Sequence, residues 1–306
     1  MYALKLAPAI KEIIWGGTKL ITEYGLETQG SNIAEAWVLS CHKDGNSIIT
    51  NGKLCGKSLT EALEILGPDV LGKKGKSFKY FPLLIKLIDA KADLSVQVHP
   101  NDEFALENEG EFGKTEMWYI LDAEKGAKLY YGFKRNITKE EFKSHIEKGT
   151  LESILNAVEV KKGDCFFMPA GTIHAIGGGI LIAEIQQNSN TTYRVYDYNR
   201  RDKNGNLRPL HIEKALMVTN LTPPPKNTFT DGETLASCEY FTVKKRVVNG
   251  ALESYADDDS FNAILCLDGK IEFLGLTLTK GECAFVPSGT GNFEIRGNGS
   301  IIESRV

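Results

Sequence analysis

The chain has 306 residues, 42% hydrophobic and 25% charged, with 36 basic against 40 acidic side chains for a net charge of −4. That length can hold two or more cored domains, and the mild acidity argues against a surface built for nucleic acid or an anionic membrane, while leaving room for a local basic pocket. No apolar run is long enough to span a bilayer, and the start MYALKLAPAIKEIIWGG lacks the charged leader and cleavage site of an export signal.

Taken in chain order, the sequence reads as short strands punctuated by glycine, with few helices. Ser58-Leu-Thr-Glu61 is a capping box, and Leu59, Leu63 and Leu66 follow at helical spacing, which predicts a helix over SLTEALEILG. FPLLIKLI holds one charge, Lys86, inside an apolar run, where it is costly unless paired. In LSVQVHPND, residues 94–102, Leu94, Val96 and Val98 alternate with Ser95, Gln97 and His99. A strand of period two puts those three polar side chains in one row. The same rule places Lys114, Glu116 and Trp118 of KTEMWYIL on one face, Glu184 of ILIAEIQQ with Ile182 and Gln186, and Arg194 of TTYRVYDY with Thr192 and Tyr196. Further helices are predicted over TKEEFKSHIEKG and TLESILNAV, between residues 138 and 158, and over HIEKALMVT, 211–219. TPPPK at 222–226 reads as a linker, and residues 230–306 are strand-like again. The six cysteines form no C-x-x-C pair and read as reduced, mostly buried thiols, which with the missing export signal predicts a cytoplasmic protein.

An internal repeat links the two halves. GDCFFMPAGTIH begins at Gly163 and GECAFVPSGTGN at Gly281; both run Gly, five residues, Pro, one residue, Gly, two residues, then a polar residue, His174 in one copy and Asn292 in the other. Each copy reads as strand, Pro-Gly turn, strand.

The first copy resembles the second signature of the cupins, in which the histidine is a metal ligand. The wider string is more specific: PLLIKLIDAKADLSVQVHPND, GKTEMWYIL and IAEIQQNSNTTYRVYDYNR together resemble the type I mannose-6-phosphate isomerases, particularly their short bacterial form. The resemblance implies a mainly β fold of two cupin-type (double-stranded β-helix) barrels, with a few helices packed around the first. Residues 1–222 would form the catalytic domain, with a short helical insertion at about 137–158, and 230–306 a metal-free C-terminal barrel, since Asn292 stands where a ligand histidine would fall.

The resemblance further implies one Zn²⁺ per chain on Gln97, His99, Glu116 and His174. Two imidazoles, a carboxylate and an amide oxygen make a mixed site with room for water, as a catalytic zinc requires, although manganese or iron would accept the same donors. Gln97, a neutral amide, reads from its residue type alone as a neighbour of the ligands rather than one of them. His42, His145 and His211 have no partners in sequence and read as structural. For a sugar phosphate, Arg194 and Lys114 are the expected catalytic residues, with Ser95, Lys86 and Glu184 binding substrate. The implied reaction is the reversible isomerisation of mannose 6-phosphate and fructose 6-phosphate through a cis-enediol, with Lys114, Glu184 or a metal-bound water as the base. The partner is thus a small sugar phosphate, and the chain a monomer or homodimer. Two departures stand out: Gln97 replaces the first histidine of the usual cupin signature, and Asn190 stands where the family often has an aspartate. The rival readings are a different metal-dependent cupin enzyme, such as a glucose-6-phosphate isomerase or a dioxygenase, and a sugar-phosphate-binding cupin without turnover.

Overall fold

The computed structural model describes residues 2–201, 205–224 and 232–306. Three antiparallel sheets carry the architecture. The first has five strands in the order Leu155–Glu159, Lys128–Phe133, His174–Ile176, Val96–Val98 and Tyr193–Tyr196. The second has six: Cys165–Met168, Glu116–Ala123, Ile180–Gln187, Leu83–Ala90, Glu35–Leu39 and Ala9–Lys11. The third has eight, built mainly from the long strands Thr242–Ala256, Asn262–Phe273 and Gly291–Arg305.

The expectation of two barrels is corrected here. The fold is mainly β with few helices, but no sheet closes on itself or curls strongly: among the described residues the six-stranded sheet ends at Cys165–Met168 and Ala9–Lys11, and no ladder joins them. Alternation of side chains fixes which face of a strand is buried, but closure depends on edge strands pairing, and no local pattern encodes that.

Apolar side chains from the five- and six-stranded sheets, among them Leu129, Ile176, Ile88, Trp118 and Ile182, form one buried cluster, so these two sheets pack face to face. The other face of the six-stranded sheet, with Val38, Ile85, Leu87 and Ile185, packs on Leu4, Leu265, Phe285 and Ile302 of the eight-stranded sheet. The middle sheet is therefore covered on both sides, which explains why Leu83–Ala90 and Ile180–Gln187 are buried at every position, their polar residues included. The N-terminal strand Leu4–Ala7 sits in the eight-stranded sheet, paired with Cys283–Val286.

The signature turns behave as the repeat requires. Gly171 and Gly289 adopt φ of 85° and 74°, which only glycine enters without strain. The Ser58 box is formed: Glu61 N–H donates to Ser58 Oγ at 3.2 Å, and Ser58 N–H to Glu61 Oε2 at 2.8 Å, opening the helix Leu59–Leu66. Ser58→Ala is expected to lower stability by about 1 kcal/mol in urea unfolding; an unchanged midpoint would mean the box contributes nothing.

The predicted helical stretch at 138–158 is only half helix. Lys139–Glu147 is helical, whereas LESILNAV becomes a single 3₁₀ turn and then the edge strand Leu155–Glu159. Leu155 and Ile154 are buried there by long-range packing that local spacing does not reveal. The helix Ile212–Val218 matches its prediction, and Asp102–Asn108, capped by Asn101, is a helix the sequence reading missed. Of the linker, Thr222 to Pro224 are irregular backbone; its remaining residues and the start of the 230–306 unit lie outside the described residues. None of the described helices is long and apolar enough to cross a membrane.

Candidate metal centre and active site

The five-stranded sheet sets three side chains in line. Val96–Val98 is flanked by His174–Ile176 on one side and Tyr193–Tyr196 on the other, with Gln97 directly opposite both His174 and Arg194. The facing sheet supplies the rest: Glu184 lies opposite Lys86 on one neighbour and Trp118 on the other, and Glu116 and Lys114 enter from the strand bearing Trp118. Residues from all these strands line a pocket of about 270 Å³.

His99, Glu116 and His174 converge, with one ligand atom from each lying within 4.8 Å of the others, all buried. The Nδ1 of His99 lies 2.9 Å from the Thr191 carbonyl, and that of His174 lies 2.9 Å from the Thr172 carbonyl. A carbonyl only accepts, so each Nδ1 carries the proton and each Nε2 presents a lone pair inward, as in metal sites whose histidines are oriented by an outer hydrogen bond. Those Nε2 atoms stand 3.6 Å and 3.3 Å from the Glu116 carboxylate. Burial, together with the Lys114 charge, holds both rings neutral, His174 pushed down to about 4 and His99 well below its ordinary value. Glu116 Oε1 is buried without a hydrogen-bond partner. Two neutral nitrogens and an unsatisfied carboxylate oxygen, turned toward one point, fit a divalent cation with N/O preference and an open coordination position. Gln97 is adjacent but differently engaged: its Oε1 accepts from Ser95 Oγ at 3.3 Å and its Nε2 faces His174 Nε2 at 3.4 Å. A half-turn of the amide would exchange those atoms.

Beside the centre is a buried ladder of charge. Lys114 Nζ contacts Glu116 Oε2, lies 3.2 Å from His99 Nε2 and 3.6 Å from Glu184 Oε1. Lys86 Nζ is 3.2 Å from Glu184 and 3.5 Å from Glu35, so the lone charge of the apolar run is doubly paired. Glu184 also accepts from Trp118 Nε1 at 2.9 Å. Burial alone would raise its carboxyl, but Lys114, Lys86 and the Trp118 hydrogen bond bring it down to about 2. Glu116 moves the other way, raised by burial and, after the opposing pull of Lys114, by the neighbouring Glu184 charge.

Arg194 differs from its neighbours. Asp197, the carboxylate nearest to it in sequence, is taken by Arg200 and Arg208. Among the described residues no carboxylate pairs with Arg194; one Nη donates to the Pro209 carbonyl at 3.0 Å, and Nε is buried without a partner. A guanidinium so placed is available to an anion.

The family comparison decides what this pocket belongs to. The family described as phosphomannose isomerase type I, catalytic domain, matches residues 3–129, and that of the mannose-6-phosphate isomerase cupin domain matches 231–306. The mannose-6-phosphate isomerase ManA of Bacillus subtilis is 39% identical over 98% of this chain and 97% of its own. The chain belongs to the type I mannose-6-phosphate isomerases. Among solved structures, the mannose 6-phosphate isomerase of Bacillus subtilis superposes with a TM-score of 0.90 at 37% identity, covering 100% of both chains. A mannose 6-phosphate isomerase bound with zinc and yttrium shares the fold, with a TM-score of 0.78 at 18% identity over 99% of each chain.

Within this type I isomerase chain the structure brings every sequence-picked residue to one place: Ser95, Gln97, Lys86, Lys114, Glu184 and Arg194 line the pocket, and His99, Glu116 and His174 form the cluster at its side. It adds Glu35, Thr192, Arg208 and His211, and Asn190, whose amide donates to Asp44 at 2.9 Å. His211, read from sequence as remote, accepts the Arg194 backbone N–H at 3.2 Å. Thr192 carried an advance signal, since it shares a strand face with Arg194, and so did Asn190, which stands where the family often has an aspartate. The other newcomers reach the pocket from separate strands and loops. His145, by contrast, stays on a surface helix against Thr150.

Proposed function

We propose that this isomerase interconverts mannose 6-phosphate and fructose 6-phosphate in the pocket between the five- and six-stranded sheets, with Zn²⁺ held by His99, Glu116 and His174 and with Gln97 completing the set after rotation of its amide. The observation that carries the reading is the pair of neutral Nε2 atoms facing an unsatisfied carboxylate oxygen, one residue pair away from an arginine with no carboxylate partner among the described residues. The donor set of two nitrogens and oxygen supports zinc among the divalent ions. When bound, the metal would act as a Lewis acid on the sugar's carbonyl and hydroxyl oxygens, worth several kcal/mol to an anionic transition state.

The chain's own groups supply the remainder. Arg194 takes the phosphate, since its free Nε and Nη offer the fork that a phosphate accepts. Lys114 donates from Nζ to a reacting sugar oxygen and so neutralises the charge that grows as the C–H proton leaves. Glu184, ionised between two lysines, accepts from sugar hydroxyls, as Ser95 and Lys86 donate to them. The walls above, Ile13, Trp15, Ile88 and Leu94, keep bulk water from the carbon being deprotonated. The division into a catalytic part, 1–222, and a metal-free C-terminal part, 230–306, is proposed alongside, and a cytoplasmic location accords with six cysteines that include no C-x-x-C pair.

The test is turnover of mannose 6-phosphate in a coupled assay on untreated protein, on protein stripped by chelator, and on stripped protein resupplied with zinc. Activity is expected to vanish on stripping and return with zinc. Absence of turnover in every metal-loaded sample would overturn the reading.

A further inference from the structure

The eight-stranded sheet has a polar pocket that the proposed reaction leaves unused. On one face of this sheet Val248, Ile264 and Ile301 are buried in an apolar cluster. Two residues further along each strand, on the same face, come Arg246, Asn262 and Glu303. A pocket of about 430 Å³ opens there, within the range of small-molecule sites.

Its floor is built rather than incidental. Asn262 is 1% exposed and Glu303 7%. Asn262 Nδ2 donates to Glu303 Oε1 at 3.0 Å, to the Tyr255 carbonyl at 3.2 Å and to Ser254 Oγ at 3.3 Å, while Glu303 Oε2 accepts from Arg246 Nη1 at 3.3 Å. The amide is thereby fixed with its nitrogen engaged and its oxygen left over: among the described residues, Asn262 Oδ1 is buried without a partner. Arg246 Nε is likewise buried and makes no hydrogen bond, the Glu233 carboxylate standing 3.6 Å away. Buried polar atoms left unmatched at the base of a pocket are costly unless something meets them. The arrangement also echoes the first repeat. The strand after His174 delivers buried Glu184 to Lys86, and the strand that begins beside Asn292 delivers buried Glu303 to Arg246.

We propose that this pocket binds a small neutral polyhydroxylated molecule, an unphosphorylated sugar or sugar alcohol. The two unmatched atoms ask for opposite things, a donor for Asn262 Oδ1 and an acceptor for Arg246 Nε, and a hydroxyl is both. The rim sets Lys74, Lys244 and Arg305 against Glu233, Glu253, Asp257 and Asp259, so it offers a phosphate no net attraction. Tyr255, 48% exposed, adds an aromatic surface at the mouth, with the Arg305 guanidinium 4.2 Å from its ring centre.

The experiment titrates the full chain with D-mannitol and D-mannose by ligand-observed NMR, using His174→Ala protein so that the outcome is independent of the metal centre. Saturable binding is expected, weakened about tenfold or more by Asn262→Leu. Because that substitution lies in the core, Tyr255→Ala at the exposed rim is run beside it, with thermal melts reporting folding, and is expected to weaken binding several-fold. No saturable binding, displacement by inorganic phosphate, or binding indifferent to both substitutions would overturn the proposal, and none of these results bears on isomerase turnover.

Discussion

His174→Ala is expected to reduce kcat/KM for mannose 6-phosphate on the order of a thousandfold or more, and to lower the zinc retained after dialysis in step. The magnitude follows from the several kcal/mol a Lewis acid supplies to an enediolate-like transition state, at 1.36 kcal/mol per tenfold. The substitution removes one of two inward-facing Nε2 atoms and leaves Glu116 Oε1 without the nearest of its imidazole neighbours, at 3.3 Å. His145→Ala, on its surface helix, is the control and should change neither quantity. If the His174 variant kept its turnover while losing metal, the Lewis-acid role would be wrong; if it kept both, the ligand assignment would be.

Arg194→Ala is the second large effect, a loss of roughly a hundredfold to a thousandfold in kcat/KM, the range for removing a charge-assisted donor from a dry site. Arg194→Lys should recover only part of that, because one ammonium cannot reproduce a two-pronged contact. The discriminating measurement is the same substitution assayed with unphosphorylated mannose, a weaker substrate by expectation. If Arg194 holds phosphate, this slower reaction should be nearly indifferent to its loss. Equal losses with both sugars would place the guanidinium at the reacting carbons instead.

Much of the centre was legible because strand geometry is simple. Ser95, Gln97 and His99 form a polar row in an apolar strand, and Lys114 and Glu116 lie two apart, so period two alone puts each set on one face. His174 was legible from its Pro-Gly signature, and Lys86 from the cost of a lone charge in an apolar run. What stayed hidden depends on which strand lies beside which. Nothing near Glu35 points to Lys86, nothing near His211 points to Arg194, and the barrel closure implied by resemblance failed because edge pairing is a long-range property. The stretch 151–158 misled for a related reason: its helical spacing was outweighed by an edge position beside Lys128–Phe133. Strand Leu83–Ala90 shows the opposite case, where burial on both faces erases alternation and leaves Lys86 and Asp89 as its two charges.

The placement of Leu4–Ala7 has a consequence for how the chain comes to be folded. One of its two hydrogen-bonding partners, Ile48–Ile49, is close in sequence, but the other, Cys283–Val286, lies far downstream, so one edge of this strand must wait until that segment is made. Until then that edge is unpaired, and the apolar surface of Leu4 and Leu6 lacks Phe285 and the rest of the layer that buries it. Such distant pairing slows assembly and lengthens the interval in which an unpaired edge can find another molecule. It also ties two segments distant in sequence into one cooperative layer against the six-stranded sheet. Disruption of either strand would therefore be felt at a centre far away in sequence.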